Sequence, residues 1–194
     1  MIHARPVTAA DTPALSALFV AAGCPCFCRY LHFEGDKNDW LARCAGDARE
    51  SERELEQAVR ERRDDGLGVV ALADGELVGW LKLAPASVAR KQVEGRFYRG
   101  LPCFGGDRSG VYLLACALVR PDQRRAGVAR AMVGAALELA RARGASAVEA
   151  LPRRTTEPVS DEELWTLPLS TLEPFGLRVV GGEGPYPVLR VELV

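Results

Sequence analysis

Residues 122–130, DQRRAGVAR, set Arg124, Arg125 and Arg130 around Ala126, Gly127, Val128 and Ala129, directly after the apolar run VYLLACALV and Arg120-Pro121. The first N–H groups of a helix have no intrahelical acceptor and carry the positive end of its dipole, so a helix that starts here attracts an anion. Short side chains let oxygens approach the backbone, and the arginines add charge at the rim. The chemistry read from this turn is the binding of a pyrophosphate.

Glu149 is the best candidate for a general base, because AVEAL places a single acid in an apolar strand and burial would raise its pKa toward a useful range. The alternative is a strand-end position that meets water or a salt bridge. Tyr30, Tyr112 and Cys116 follow as polar tips near the expected cleft, and His32 is a better histidine base than His3. Cys24, Cys26 and Cys28 alternate too tightly for a zinc tetrahedron, although Cys24, Cys28 and His32 could meet on a turn; no metal is expected. Reactive thiols or plain apolar packing are the other readings of that cluster.

These residues need elements to hold them. Ile2–Val7 reads as a strand, and a helix begins near Thr12 with Asp11 as N-cap and Pro13 in its first turn, ending at Gly23. Residues 24–40 show neither period and read as irregular. Residues 47–65 make a helix with a narrow apolar stripe, Leu55 and Val59, among charges. Gly66–Ala73 and Glu76–Leu83 form a hairpin across Asp74-Gly75, a pair suited to a type I′ bend.

Residues 86–110 are glycine-rich and without regular structure; such excursions often carry function. Val111–Val119 is a buried strand, and 125–143 a helix with apolar Val128, Met132, Ala136 and Leu139, closed by Gly144. Strand 145–151 follows, then a short helix 169–175 whose last turn Pro174 makes irregular, and strands 177–180 and 188–194. With no linker and no repeat, residues 1–194 read as a single α/β domain with a mixed sheet.

The totals exclude other classes. A chain of 194 residues with 48% hydrophobic and 26% charged residues is globular. A net charge of -1 from interspersed signs argues against nucleic acid. No apolar stretch nears the roughly 18 residues of a membrane span. LSALFVAAGC resembles the apolar part of an export signal, but Asp11, Thr12 and Pro13 replace the basic start, so a cytoplasmic protein with reduced cysteines is expected.

Arg124, Gly127 and Ala129, preceded by Val119-Arg120-Pro121, resemble the signature of the GNAT superfamily of acyl-coenzyme A-dependent N-acyltransferases, and the order of elements is similar along nearly the whole chain. Cys26-Phe27-Cys28-Arg29-Tyr30, Val78-Gly79-Trp80 and the ending from Ser170 to Gly176 resemble one subgroup with a cysteine-aromatic-cysteine motif. The resemblance implies a single-domain GNAT fold, a central twisted mixed, mostly antiparallel sheet flanked by helices. It implies acetyl-CoA or another acyl-CoA as co-substrate, with the N–H groups of residues 125–130 holding the pyrophosphate. The pantetheine arm would lie along Cys116, Ala117, Leu118 and Val119.

The implied reaction moves an acyl group, acetyl in the first instance, to a primary amine of a small molecule or a protein, and family members often form homodimers. Many members protonate the leaving thiolate with a tyrosine in the short C-terminal helix, where this chain has Leu172. Ser170 matches a subgroup serine that could face the thioester. The missing tyrosine keeps a rival reading open, a non-catalytic acyl-CoA or thiol sensor.

Overall fold

Asp74 and Gly75 take φ of 51° and 88°, both positive as a type I′ bend requires, and they join β2 (Gly68–Ala73) to β3 (Glu76–Pro85). The computed structural model describes residues 1–47, 49–155, 157, 159–160 and 164–193. β1 (Ile2–Pro6) pairs antiparallel with β2, and β3 with β4 (Val111–Val119). β4 pairs in parallel with β5 (Ala147–Ala150), which pairs antiparallel with β7 (Val188–Glu192), and β7 with β6 (Arg178–Gly181). The seven strands run in the order β1-β2-β3-β4-β5-β7-β6, a mixed sheet with one parallel pair.

One face is covered by α5 (Val128–Ala142), whose Val128, Met132, Val133, Ala136, Leu137 and Ala140 are buried against strand residues such as Val78, Leu81, Leu114 and Val148. Gly79 makes that approach possible: a Cβ there would sit 2.8 Å from Val128 Cγ1 and 2.9 Å from Met132 Sδ. The other face is covered by α1 (Thr12–Ala21) and α3 (Glu50–Arg60), which bury Leu15, Phe19, Leu55 and Val59 over Val70, Trp80 and Leu118. Further along that face, Tyr98, Leu101 and Phe104 of the 86–110 excursion pack on Ala84, Leu113 and Val188.

Several sequence expectations are corrected. Residues 24–40 are not all irregular, because α2 (Lys37–Gly46) begins there; Asp36 caps it by accepting from the N–H of Asn38 (2.6 Å) and Asp39 (3.0 Å). Trp40 alone is buried on α2, so the helix lacks the apolar period that would reveal it. Asp11 does not cap α1 forward; its carboxylate reaches back to the Thr8 N–H (2.8 Å) and to Arg5. The 47–65 helix is trimmed to α3, the 125–143 helix starts at Val128, and the 86–110 excursion holds a short helix α4 (Arg90–Val93). The 169–175 helix is α6 (Leu169–Leu172) followed by a 3-10 turn, as Pro174 implied. The expected strand end at Val194 lies outside the described residues.

Candidate functional site

β4 and β5 pair only over Val111–Leu114 and Ala147–Ala150. On its other side β4 shifts register against β3, with Leu114 opposite Leu83 and Ala117 opposite Leu81. Ala115 and Cys116 therefore have no register partner in either neighbour, and a bulge of this kind opens a strand for other contacts. Beyond it the edge of β4 leaves β5. A cleft of about 650 Å³ opens there, lined by Ala117, Leu118 and Val119, by Arg124, Arg125, Gly127, Val128, Ala129 and Arg130, and by Leu164–Pro168, Ser170 and Thr171.

The turn at its mouth contains two positive-φ residues. Arg125 (φ 62°) and Gly127 (φ 91°) are both left-handed, and alternation of this kind turns successive N–H groups toward one concave side. Ala131 N–H bonds back to Gly127 O (3.0 Å). Arg125, Ala126 and Gly127 are exposed, and a Cβ on Gly127 would meet nothing within 4 Å. Arg124 anchors the turn to β4 through Nε donating to Val119 O (3.3 Å).

Of the residues read from the sequence, Ala117, Leu118, Val119, Arg124, Arg125, Gly127, Val128, Ala129, Arg130 and Ser170 line this one cleft, whereas Cys116 and Ala126 border it without lining it. Ser170 is exposed on α6. Tyr30 is not there: its ring lies edge-on to Trp40 (5.2 Å) with the Lys91 ammonium over it (4.9 Å). Leu172 is wholly buried in the core under α5 and offers no polar group.

Glu149 is wholly buried on β5, and Arg108 grips it with Nη1 donating to Oε1 (3.1 Å) and Nη2 to Oε2 (2.7 Å), while Arg190 Nη1 stands 3.4 Å from Oε1. The two guanidinium groups occupy both carboxylate oxygens. Glu149 thus has the burial expected of it and a salt bridge as well.

A second polar group lies buried at the level of the bulge. Lys82, opposite Ala115 and Cys116, is fully buried and donates to Asp65 O (2.7 Å) and Leu67 O (3.1 Å); burial draws it down to about 8. Arg29 reaches the same segment, with Nη1 donating to Asp65 O (2.8 Å) and Nε to Glu54 (3.2 Å). His32 Nδ1 is 2.6 Å from Val88 O, and burial, then the nearby Lys82 charge, lowers it to about 4, so the imidazole is neutral at pH 7.

The sequence profile of the Acetyltransferase (GNAT) family matches residues 36–160, from just before α2 to beyond β5, including the turn and α5. The chain belongs to the GNAT acetyltransferase family. No curated protein matches it in sequence. Among solved structures it is similar to the PaiA N-acetyltransferase of Thermoplasma acidophilum in complex with coenzyme A, at 12% identity and a TM-score of 0.55 over 100% of this chain and 99% of that one. Ribosomal-protein-alanine N-acetyltransferase of Brucella melitensis is similar at 20% identity and 0.54, over 98% and 99%. Aminoglycoside 6'-acetyltransferase type Ii is similar at 14% and 0.56, over 98% and 97%. These likenesses show the fold.

Three features of this GNAT domain escaped the sequence reading. Arg108 stands 41 positions from Glu149 and belongs to the excursion without periodicity. The Trp165 carbonyl accepts from the Ala117 N–H (3.0 Å), so residues 164–168 cross the open edge of β4 where nothing in their composition foretold it. Lys82 did leave a trace, a lone lysine in the apolar run GWLKLA. Among the described residues no three His, Cys, Asp or Glu side chains converge as a metal site, and no helix is long and apolar enough to cross a membrane.

Proposed function

We propose that the chain transfers an acyl group, acetyl in the first instance, from coenzyme A to a primary amine. The observation that supports this most directly is the cleft in which the left-handed turn Arg124–Gly127, the start of α5 and the open edge of β4 meet. Bound acyl-coenzyme A supplies a thioester, an activated acyl carbon with a thiol leaving group. The N–H groups of residues 125–130 would hold its pyrophosphate, and Cys116–Val119 would run beside its pantetheine arm, where the Ala117 N–H must be shared with or released by Trp165.

The chain's own residues then have distinct tasks. Backbone N–H groups at the bulge residues Ala115 and Cys116, which have no register partner, would donate to an oxyanion, where preorganised donors have their largest effect. Ser170 faces the cleft and is the side chain best placed to return a proton to the departing thiolate. Glu149, gripped by Arg108, takes part as base only if a proton can reach a carboxylate oxygen past the arginine; otherwise it orients the wall of the acceptor side. Tyr30, held by Trp40 and Lys91 and absent from the cleft lining, is given no catalytic task. The cysteine-aromatic-cysteine subgroup, a cytoplasmic location and homodimerisation belong to the same reading. The similar structures include enzymes named for a ribosomal-protein alanine and for an aminoglycoside, so a protein amine and a small-molecule amine are the acceptor classes to test.

Burial of Leu172 at the place of the family tyrosine favours one rival, a domain that binds acyl-coenzyme A without turnover. The test is thermal unfolding with and without acetyl-CoA, with Gly127→Glu and Ala126→Glu beside the parent. Donor at about a hundred times its Kd adds about 2.7 kcal/mol, a rise of about 5–10 °C in Tm for a chain of this size. A rise abolished in both folded variants supports the donor site; no rise at saturating donor overturns it. Release of free thiol from acetyl-CoA, dependent on Ser170, separates the enzyme from the rival.

A further inference from the structure

The turn Cys24–Cys28 is absorbed by nothing above. Cys24 Sγ and Cys26 Sγ stand 3.7 Å apart across Pro25, whose ring fixes φ and limits how far the two side chains can diverge. Phe27 and Cys28, the next two residues, are both left-handed (φ 46° and 57°), a conformation uncommon for residues other than glycine. Packing holds them there: Phe27 stacks on Phe19 at 4.7 Å, and Trp80 Nε1–H donates to Cys28 Sγ at 3.5 Å. The turn is thereby kept in the shape that faces one thiol toward the other.

We propose that Cys24 and Cys26 form a redox dithiol, a site at which a low-molecular-weight disulfide oxidises the chain by closing a Cys24–Cys26 bond. Cys26 is half-buried and accessible to attack, while Cys24 is buried behind it, the arrangement of an attacking and a resolving thiol. The contact between the two sulfurs draws Cys26 down to about 7 and raises Cys24. Cys28 is excluded as the attacker, since it is wholly buried and burial pushes its thiol up.

The exchange balances. The Cys26 thiolate attacks one sulfur of the disulfide, making a mixed disulfide and expelling one thiolate. Cys24 loses its proton to that thiolate and attacks Cys26 Sγ, making the Cys24–Cys26 bond and expelling the second thiolate, which takes its proton from solvent. Two protein thiols are oxidised and one small disulfide is reduced to two thiols. The sulfurs must close from 3.7 Å to the bonded separation of about 2.05 Å. This inference does not depend on the acyl-transfer reading, and its test uses no donor.

The native full-length protein is incubated with excess oxidised glutathione, the remaining thiols are alkylated, and intact mass and fragment masses of the tryptic 1–29 peptide are read. Two of the six thiols should be lost, with the bond mapping to Cys24 and Cys26. Cys28→Ser and Cys116→Ser should leave that result unchanged, Cys26→Ser should abolish it, and Cys24→Ser should stop at one glutathione adduct on Cys26. The fragment masses of the parent identify the pair even where a variant fails to fold. Six thiols remaining, a stable adduct without closure in the parent, or a bond between any other pair overturns the proposal.

Discussion

Arg108 and Glu149 meet in a bidentate ion pair at 3.1 and 2.7 Å, the carboxylate wholly buried and the guanidinium seated 4.8 Å over the Phe104 ring. The pair ties the 86–110 excursion to β5, at the place where β4 and β5 are about to part. Losing one partner of a buried pair leaves the other charge uncompensated, at about 3–5 kcal/mol. Because Arg108 keeps 17% side-chain exposure and Arg190 remains near Glu149, Arg108→Ala should fall at the low end, about 3 kcal/mol. Denaturant unfolding checks it; a loss below about 1 kcal/mol, the worth of an exposed pair, would show that the contact does not hold the excursion.

Glu149→Gln separates two tasks that burial alone does not distinguish. If the carboxylate serves as base, turnover is abolished while the acetyl-CoA-induced rise in Tm is kept. If it only orients the loop, turnover falls in step with stability and Arg108→Ala reproduces the same loss. Steady-state rates beside thermal unfolding in both variants decide between them.

Gly79 sets the distance between β3 and α5, and with it the turn that begins the helix. A methyl group there meets Val128 Cγ1 and Met132 Sδ at 2.8 and 2.9 Å, so Gly79→Ala must push the first turn of α5 off the sheet. Overpacking of this kind costs about 1–3 kcal/mol. Donor affinity should weaken along with stability, whereas an exposed control such as Gly46→Ala, with nothing within 4 Å of the new Cβ, should leave affinity unchanged. Titration of acetyl-CoA by calorimetry reads both; equal affinity in Gly79→Ala would uncouple the helix start from donor binding.

His32 gives a pH signature. Its folded-state pKa lies near 4, below the ordinary 6.5 because of burial and the Lys82 charge, so the unfolded chain binds the extra proton between those values. Its contribution is present above pH 6.5 and is lost as pH falls toward 4. The loss is on the order of 3 kcal/mol, since each unit is about 1.4. Stability measured by urea unfolding from pH 7 to 4.5 should decline, and His32→Gln should flatten the decline; an unaltered slope would remove His32 as its source.

Ser170→Ala should lower turnover by about 10²-fold or more, the usual yield of a positioned proton donor, and leave the donor-induced Tm rise intact, because the pyrophosphate seat is made of backbone N–H groups at the start of α5 and not of this hydroxyl. Rates at saturating acetyl-CoA with a panel of primary amines test this. Unchanged rates would return the proton to solvent and leave Ser170 as a lining residue only.

What the sequence determined by itself was local. Asp74-Gly75 carries its own turn geometry, and α5 shows its period because one face is apolar over four turns. The Arg124–Ala129 turn is legible because glycine and small residues are needed wherever backbone must be both left-handed and approachable. α2 was not legible, since its stability rests on the Asp36 cap and one tryptophan instead of an apolar stripe.

The tertiary structure alone decided which distant residues share a site. Arg108 meets Glu149, Trp165 crosses to Ala117, and Lys82 settles under the 65–67 segment through chain separations over which residue type carries no information about partners. Those pairings follow from where β4 leaves β5, and that depends on register across the whole sheet. Ser170 reached the cleft for the same reason, and Tyr30 did not: α6 packs beneath α5, whereas the turn after α1 is pulled toward Trp40 and Lys91.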